Sequence, residues 1–163
     1  MIIVRGNKLE FNGKTYKCAV GKNGFAVDKI EGDNCSPIGE FSLRKVLYRA
    51  DKIAKPKTGL AVEVISKNDG WCDAPDDVKY NLPVQLSYPA RHENLWRDDD
   101  VYDVIIPLGY NDDPVISGKG SAIFMHVARE NYQGTEGCIA LKLVDLLEVL
   151  QGVDATTKID IKP

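Results

Sequence analysis

His126 and Cys138 are the residues whose types and spacing promise chemistry. They lie in the stretch MHVARENYQGTEGCIAL (125–141), the histidine twelve positions before the cysteine, in a chain with two histidines and four cysteines. A cysteine attacks as its thiolate, and a free thiol with a pKa near about 8.5 is only partly ionised at neutral pH. A histidine within hydrogen-bond reach raises the thiolate fraction by pairing imidazolium with it. Gly134 and Gly137 let the intervening segment turn tightly. Gly137 also leaves the Cys138 N–H clear of side-chain crowding, so that it could point at a developing oxyanion. The bland alternative is that both are packed residues, since a histidine ending an apolar strand is often structural and free cysteine behaves as a small hydrophobe. Spacing alone leaves both readings open. A Cys/His metal centre is weaker still: Cys72, His92, His126 and Cys138 lack zinc-ligand spacing. No cofactor is expected.

The elements that must position the pair are mostly strands. Asn12-Gly13 separates two strand-like runs and supplies the positive φ angles of a type I′ turn, which predicts a hairpin. Turn residues from Gly32 to Gly39 precede a loosely alternating strand over 40–49. Further strands are expected at 60–66, 84–88, 101–110 and 122–128, all rich in Val, Ile or Tyr. One helix stands out, because Leu143, Leu146, Leu147 and Leu150 fall on one helical face and Gly152 follows as a stop. Ile159 and Ile161 alternate in a closing strand. The fold class is therefore mostly β with one clear helix directly after Cys138, in a single domain spanning 1–163.

Composition excludes several classes. At 44% hydrophobic and 28% charged residues the chain is ordinary for a globular protein, and its net charge of −3 with scattered basic residues argues against nucleic acid. No apolar run approaches the roughly 18 residues of a membrane span. The N-terminal MIIVRGNKLEF has too short an apolar stretch for a secretory signal, which reads as a cytoplasmic chain or one whose leader is missing. With four cysteines and no C-x-x-C pair, a disulfide scaffold is not expected, although a Cys35–Cys72 bridge stays open. Adjacent acids at Asp99-Asp100 and Asp112-Asp113 read as solvated turn residues rather than a glycosidase pair. Trp71 and Trp96 read as cleft-lining or core residues, with packing expected for at least one.

The segment GTEGCIAL resembles the nucleophile motif of the L,D-transpeptidase (YkuD-like) family, in a single-domain subgroup with a TEGC motif. SPIGEF (36–41), GSAIFMH, DGWCDAPDDVKYN and LWRDDDVYDVIIPLGYN extend the similarity from about Gly21 to Leu150. Matched position by position, the resemblance implies His126 as base, Thr135 as the hydroxyl residue, Gly137 as the oxyanion-side glycine and Cys138 as nucleophile. It implies a β-sandwich or barrel-like fold, and acyl transfer between peptidoglycan stem peptides, donor and acceptor, through a Cys138 thioester. Such a substrate demands the periplasm or cell envelope. Two positions depart from the better-known members: Glu136 stands where they have a second His, and Ala140 where they have Arg or Asn. Stem peptides carry carboxylates, so Arg97, Arg129, Tyr110 and Asn111 join Thr135 as the candidate substrate-binding residues, with Arg129 in place of the missing Arg. Two rivals remain. One is a Cys/His endopeptidase or L,D-carboxypeptidase that passes the acyl group to water; the other is a non-catalytic cell-wall binding module.

Overall fold

The computed structural model describes all residues, 1–163. It is mostly strands, with several sheets and a single α-helix. In the first sheet, the strands Lys14–Lys17, Lys8–Phe11, Ile2–Arg5, Lys158–Lys162 and Gly39–Ser42 lie in that order. Its alternation has period two. Ile2, Val4, Leu9, Ile159 and Ile161 all point inward at 0% exposure, and Ile2 and Val4 sit beside Ile159 and Ile161 in parallel register. The two ends of the chain thus lie side by side. The turn at Asn12 (φ 49°) and Gly13 (φ 76°) is left-handed at both positions and pairs Phe11 with Lys14, which is the hairpin expected from Asn-Gly.

The second five-stranded sheet carries His126 and leads into Cys138. Its order is Ile139–Leu141, Phe124–Val127, Val104–Pro107, Val46–Tyr48 and Val62–Val64. Val104–Pro107 and Phe124–Val127 are buried at every position, because both faces of this sheet are covered. That removes the polar/apolar alternation and explains the continuous apolar runs in the sequence. On one face Val104, Ile106, Met125, Ile139 and Leu141 join the inward side chains of the first sheet in the main core. On the other face Ile105, Phe124 and Cys138 join Leu47, Ile65, Leu95, Val101 and Tyr102 in a smaller core. That smaller core is flanked by a three-stranded sheet, Pro83–Gln85, Asp69–Cys72 and His92–Asn94.

Helix α1, Leu143–Gln151, seals the main core with Leu146, Val149 and Leu150, and Leu143 and Leu147 pack at its edge. Full burial of such side chains stabilises by roughly 1.5–3 kcal/mol each. Gly152 ends the helix, but with φ −99° it is not a left-handed cap. A Cβ there would lie 2.7 Å from the Asn12 amide and 3.0 Å from the Phe11 ring, so glycine makes room for the hairpin.

The expected strand over 40–49 is two strands in two different sheets, Gly39–Ser42 and Val46–Tyr48, joined by an isolated bridge of Leu43 to Leu108. The chain crosses between sheets while keeping an extended backbone, and local pattern cannot reveal such a switch. The strands expected at 60–66, 84–88, 101–110 and 122–128 are shorter, at Val62–Val64, Pro83–Gln85, Val104–Pro107 and Phe124–Val127. All four cysteines are free thiols.

Candidate active site

Parallel pairing of Phe124–Val127 with Ile139–Leu141 is what brings His126 and Cys138 together. Met125 lies beside Ile139 and His126 beside Ala140. One step back along both strands puts Phe124 beside Cys138, and the Phe124 N–H reaches the Cys138 Sγ at 3.3 Å. His126 lies two residues from Phe124, so its side chain is on the same face as Cys138. Strand spacing and rise place the two Cβ atoms about 8 Å apart, a gap that an imidazole and a thiol span between them. Both residues line one cavity of about 1440 Å³.

Each partner is held in a defined protonation state. His126 is 6% exposed and its Nδ1 lies 2.9 Å from the Val127 carbonyl. A carbonyl can only accept, so Nδ1 carries the proton and Nε2 keeps its lone pair. Burial pulls the imidazole down to about 4, with the Val127 carbonyl opposing and the charges of Arg129 and Arg97 adding to the fall. Cys138 donates its thiol proton to the Ala122 carbonyl at 3.2 Å, and burial pushes it up to about 12. The resting site is therefore a neutral thiol beside a neutral imidazole, not the thiolate–imidazolium pair expected from residue types.

This state has a measurable signature. Alkylation of Cys138 by iodoacetamide, read on its own peptide by mass, is expected to be slow at pH 6 and to rise about tenfold per pH unit from 6 to 9. No plateau near the imidazole range is expected. A plateau beginning at pH 6 to 7 would mean that a preformed ion pair exists.

The turn before Cys138 is braced by two hydroxyls. Thr135 Oγ1 donates to the Cys138 carbonyl at 2.6 Å and accepts the Gly137 N–H at 3.1 Å. Ser36, wholly buried, donates to the Gly137 carbonyl at 2.8 Å and accepts the Gly21 N–H at 2.9 Å. Gly137 adopts φ +132°, and a Cβ on it would lie 2.7 Å from the Cys35 carbonyl oxygen. With the Gly137 N–H engaged by Thr135, the donor left for an oxyanion is the N–H of Cys138, which makes no hydrogen bond within the protein. Thr135 borders the cavity, but its hydroxyl is spent on the turn before Cys138 and is not free for a substrate.

Arg97 and Arg129 line the cavity. Arg97 grips Asp99 with two bonds of 2.7 and 2.6 Å, and this pairing, opposed by burial, pulls Asp99 down to about 2. Arg129 lies 3.8 Å from the same carboxylate, with a side chain 51% exposed, and keeps donors to spare. Asp99 is thus an orienting partner of two arginines rather than a purely solvated turn residue.

Tyr110 and Asn111 do not reach the cavity, which corrects the expectation from sequence. The Tyr110 hydroxyl donates to the Lys119 carbonyl at 2.6 Å and its ring packs edge-on against Phe41. Asn111 closes a loop, donating to the Ile116 and Gly120 carbonyls at 2.9 Å each. Their turn-like sequence served local structure. The tryptophans divide: Trp71 packs edge-on against Phe124, and Trp96 borders the cavity under the Arg49 guanidinium, 3.6 Å from the ring.

Sequence reading missed Tyr102 and Glu93. Tyr102 lies edge-on to His126, ring centroids 5.6 Å apart, and its hydroxyl donates to Glu93 Oε2 at 2.6 Å. Glu93 sits on the strand His92–Asn94, a polar triplet with no pattern to flag it. The only available signal was a tyrosine leading into the apolar run Val104–Ile106.

A histidine on one strand and a cysteine at the start of its parallel neighbour thus share one cavity, with the Cys138 N–H free beside the thiol. Residues 1–161 match the family model for the L,D-transpeptidase catalytic domain, and the chain belongs to that family, whose members act on peptidoglycan. Comparison with curated proteins returned no match.

Proposed function

We propose that this chain is a peptidoglycan L,D-transpeptidase that joins stem peptides through a thioester on Cys138, and that it works in the periplasm or cell envelope. The observation carrying the proposal is the shared cavity of Cys138 and neutral His126, with the Cys138 N–H unspent. His126 Nε2 takes the thiol proton as Sγ bonds to the donor's carbonyl carbon. The Cys138 N–H stabilises the oxyanion, a contribution of about 10²–10³ in rate for one such donor. The tetrahedral intermediate collapses, the C–N bond breaks, and the imidazolium protonates the departing amine. The acceptor amine then attacks the thioester, gives a proton to His126, and the thiolate leaves and is reprotonated. A neutral imidazole suits the first step, because only that form can accept a proton.

A second reading is favoured by one observation. Only 6 of the 26 residues lining the cavity are hydrophobic, so its wall does little to exclude water. Water in place of the amine makes the same thioester a hydrolytic intermediate, and the enzyme an L,D-carboxypeptidase or endopeptidase. Incubation with diaminopimelate-containing muropeptides and mass analysis of products separates the two. Cross-linked dimers are expected; shortened monomers without dimers would establish the hydrolase instead.

A further inference from the structure

Of the four backbone polar groups of Gly137 and Cys138, three are held by side-chain hydroxyls. Thr135 Oγ1 takes the Gly137 N–H and donates to the Cys138 carbonyl, so it fixes the peptide groups on either side of the Gly137–Cys138 peptide. The peptide group between them carries the Gly137 carbonyl and the Cys138 N–H, and Thr135 bonds neither. Its carbonyl accepts the Ser36 hydroxyl at 2.8 Å, and its N–H makes no hydrogen bond within the protein. That middle peptide group is the one most free to turn. A peptide plane rotates through a paired change of ψ on the residue before it and φ on the residue after. The residue before it here is a glycine, which meets little steric resistance. The peptide is trans, so its C=O and N–H point in opposite directions across one rigid plane. A group that holds the carbonyl therefore aims the N–H, and Ser36 is the group that holds it.

Ser36 is itself held rigidly. It is fully buried, and its N–H bonds the Gly24 carbonyl at 2.8 Å. The short strand Ser36–Pro37 pairs in parallel with Phe25–Ala26. The Gly21 N–H donates to Ser36 Oγ at 2.9 Å. An N–H can only donate and a carbonyl can only accept, so the one hydroxyl hydrogen is committed to Gly137. Gly21 approaches so closely that a Cβ on it would lie 2.6 Å from the Ser36 nitrogen. The hydroxyl thus has a single direction, in a place closed to solvent, where no water competes for the Gly137 carbonyl.

We propose that Ser36 is a positioning residue for acyl transfer: through the Gly137 carbonyl it aims the Cys138 N–H at the oxyanion that forms when Sγ adds to a carbonyl carbon. The role rests on the acyl-transfer reading of Cys138. Ser36 touches no substrate and takes no part in bond making. It acts by keeping one peptide plane from turning, so that the donor is in place before charge develops on the oxygen.

The test compares two reactions of the same sulfur, each read on the Cys138 peptide by mass. Iodoacetamide is attacked at a saturated carbon, iodide leaves, and no oxyanion forms. p-Nitrophenyl acetate is attacked at a carbonyl carbon. The S–C bond forms, the oxygen takes the charge, the C–O bond to p-nitrophenolate breaks, and the thiol proton passes to His126. In Ser36→Ala, acetylation is expected to slow at least about tenfold, part of what one aimed donor supplies, while alkylation stays within about twofold. With a diaminopimelate-containing muropeptide the same variant should lower kcat and leave KM within about twofold, as for an interaction made only in the transition state. Ser36→Thr keeps the hydroxyl and is expected to acetylate within about threefold of the wild type. Should Ser36→Ala fail to fold, Ser36→Cys fills the same space with a weak donor and carries the comparison. Acetylation at the wild-type rate in Ser36→Ala, equal slowing of acetylation and alkylation, or a Ser36→Thr no faster than Ser36→Ala would overturn the role of Ser36 and leave acyl transfer standing. A wild type whose Cys138 takes an acyl group from neither the ester nor the muropeptide would overturn both.

Discussion

Cys138→Ala is expected to abolish product formation, with a fall in kcat of at least about 10⁴ and no thioester adduct by intact mass. Losses of that size follow removal of a nucleophile from a site whose remaining groups only bind and polarise. The fold should survive. The thiol makes two weak bonds, from the Phe124 N–H at 3.3 Å and to the Ala122 carbonyl at 3.2 Å, and fills part of the smaller core. Its loss should cost about 1 kcal/mol, within the ordinary range of single substitutions. Retained thermal stability with lost turnover separates a nucleophile from a packed cysteine. Turnover within tenfold of the wild type would make Cys138 structural and end the acyl-transfer reading.

Gly137→Ala is expected to damage stability and activity together. The backbone at φ +132° is one that side chains rarely adopt, and the new Cβ would meet the Cys35 carbonyl at 2.7 Å. That carbonyl cannot easily retreat. The next residue, Ser36, is fastened by its hydroxyl to Gly137 and Gly21 and by its N–H to the Gly24 carbonyl. Strain plus clash should cost roughly 3–5 kcal/mol, or about 10 °C in Tm for a domain of this size. Any shift of the turn also displaces Cys138, and misplacement by about 1 Å can cost on the order of 10² in rate. Gly24→Ala is the control. It has φ +86° but open space, so only the conformational cost remains, about 1 kcal/mol. Equal melting temperatures for the two variants would mean that the Cys35–Ser36 clasp yields.

Much of the architecture was legible because it is written in short-range pattern. Leucines spaced to share one helical face announced α1, and Asn12-Gly13 announced a hairpin whose positive φ angles few other dipeptides tolerate. The nearness of His126 and Cys138 was legible for a related reason. Two apolar strand runs joined by a glycine-bearing turn narrow the ways the second can return to the first.

Side chains that meet across the cavity were not legible. Tyr110 and Asn111 look like site residues in a linear reading, yet their polar groups are consumed by carbonyls at Lys119, Ile116 and Gly120. Glu93 looks like an unremarked surface acid, yet the three-stranded sheet carries it to the cavity that Cys138 lines. The protonation states also inverted the expectation. Residue types suggested a thiolate–imidazolium pair, and burial keeps both groups neutral. By itself the sequence determined the class of fold and the helix, since those follow from spacing within a few residues, and it singled out His126 and Cys138 through a motif shared with a known family. Only the tertiary structure decided which charges share one low-dielectric space, because electrostatic energy depends on distance and burial, and these are set by pairings between strands far apart in the chain.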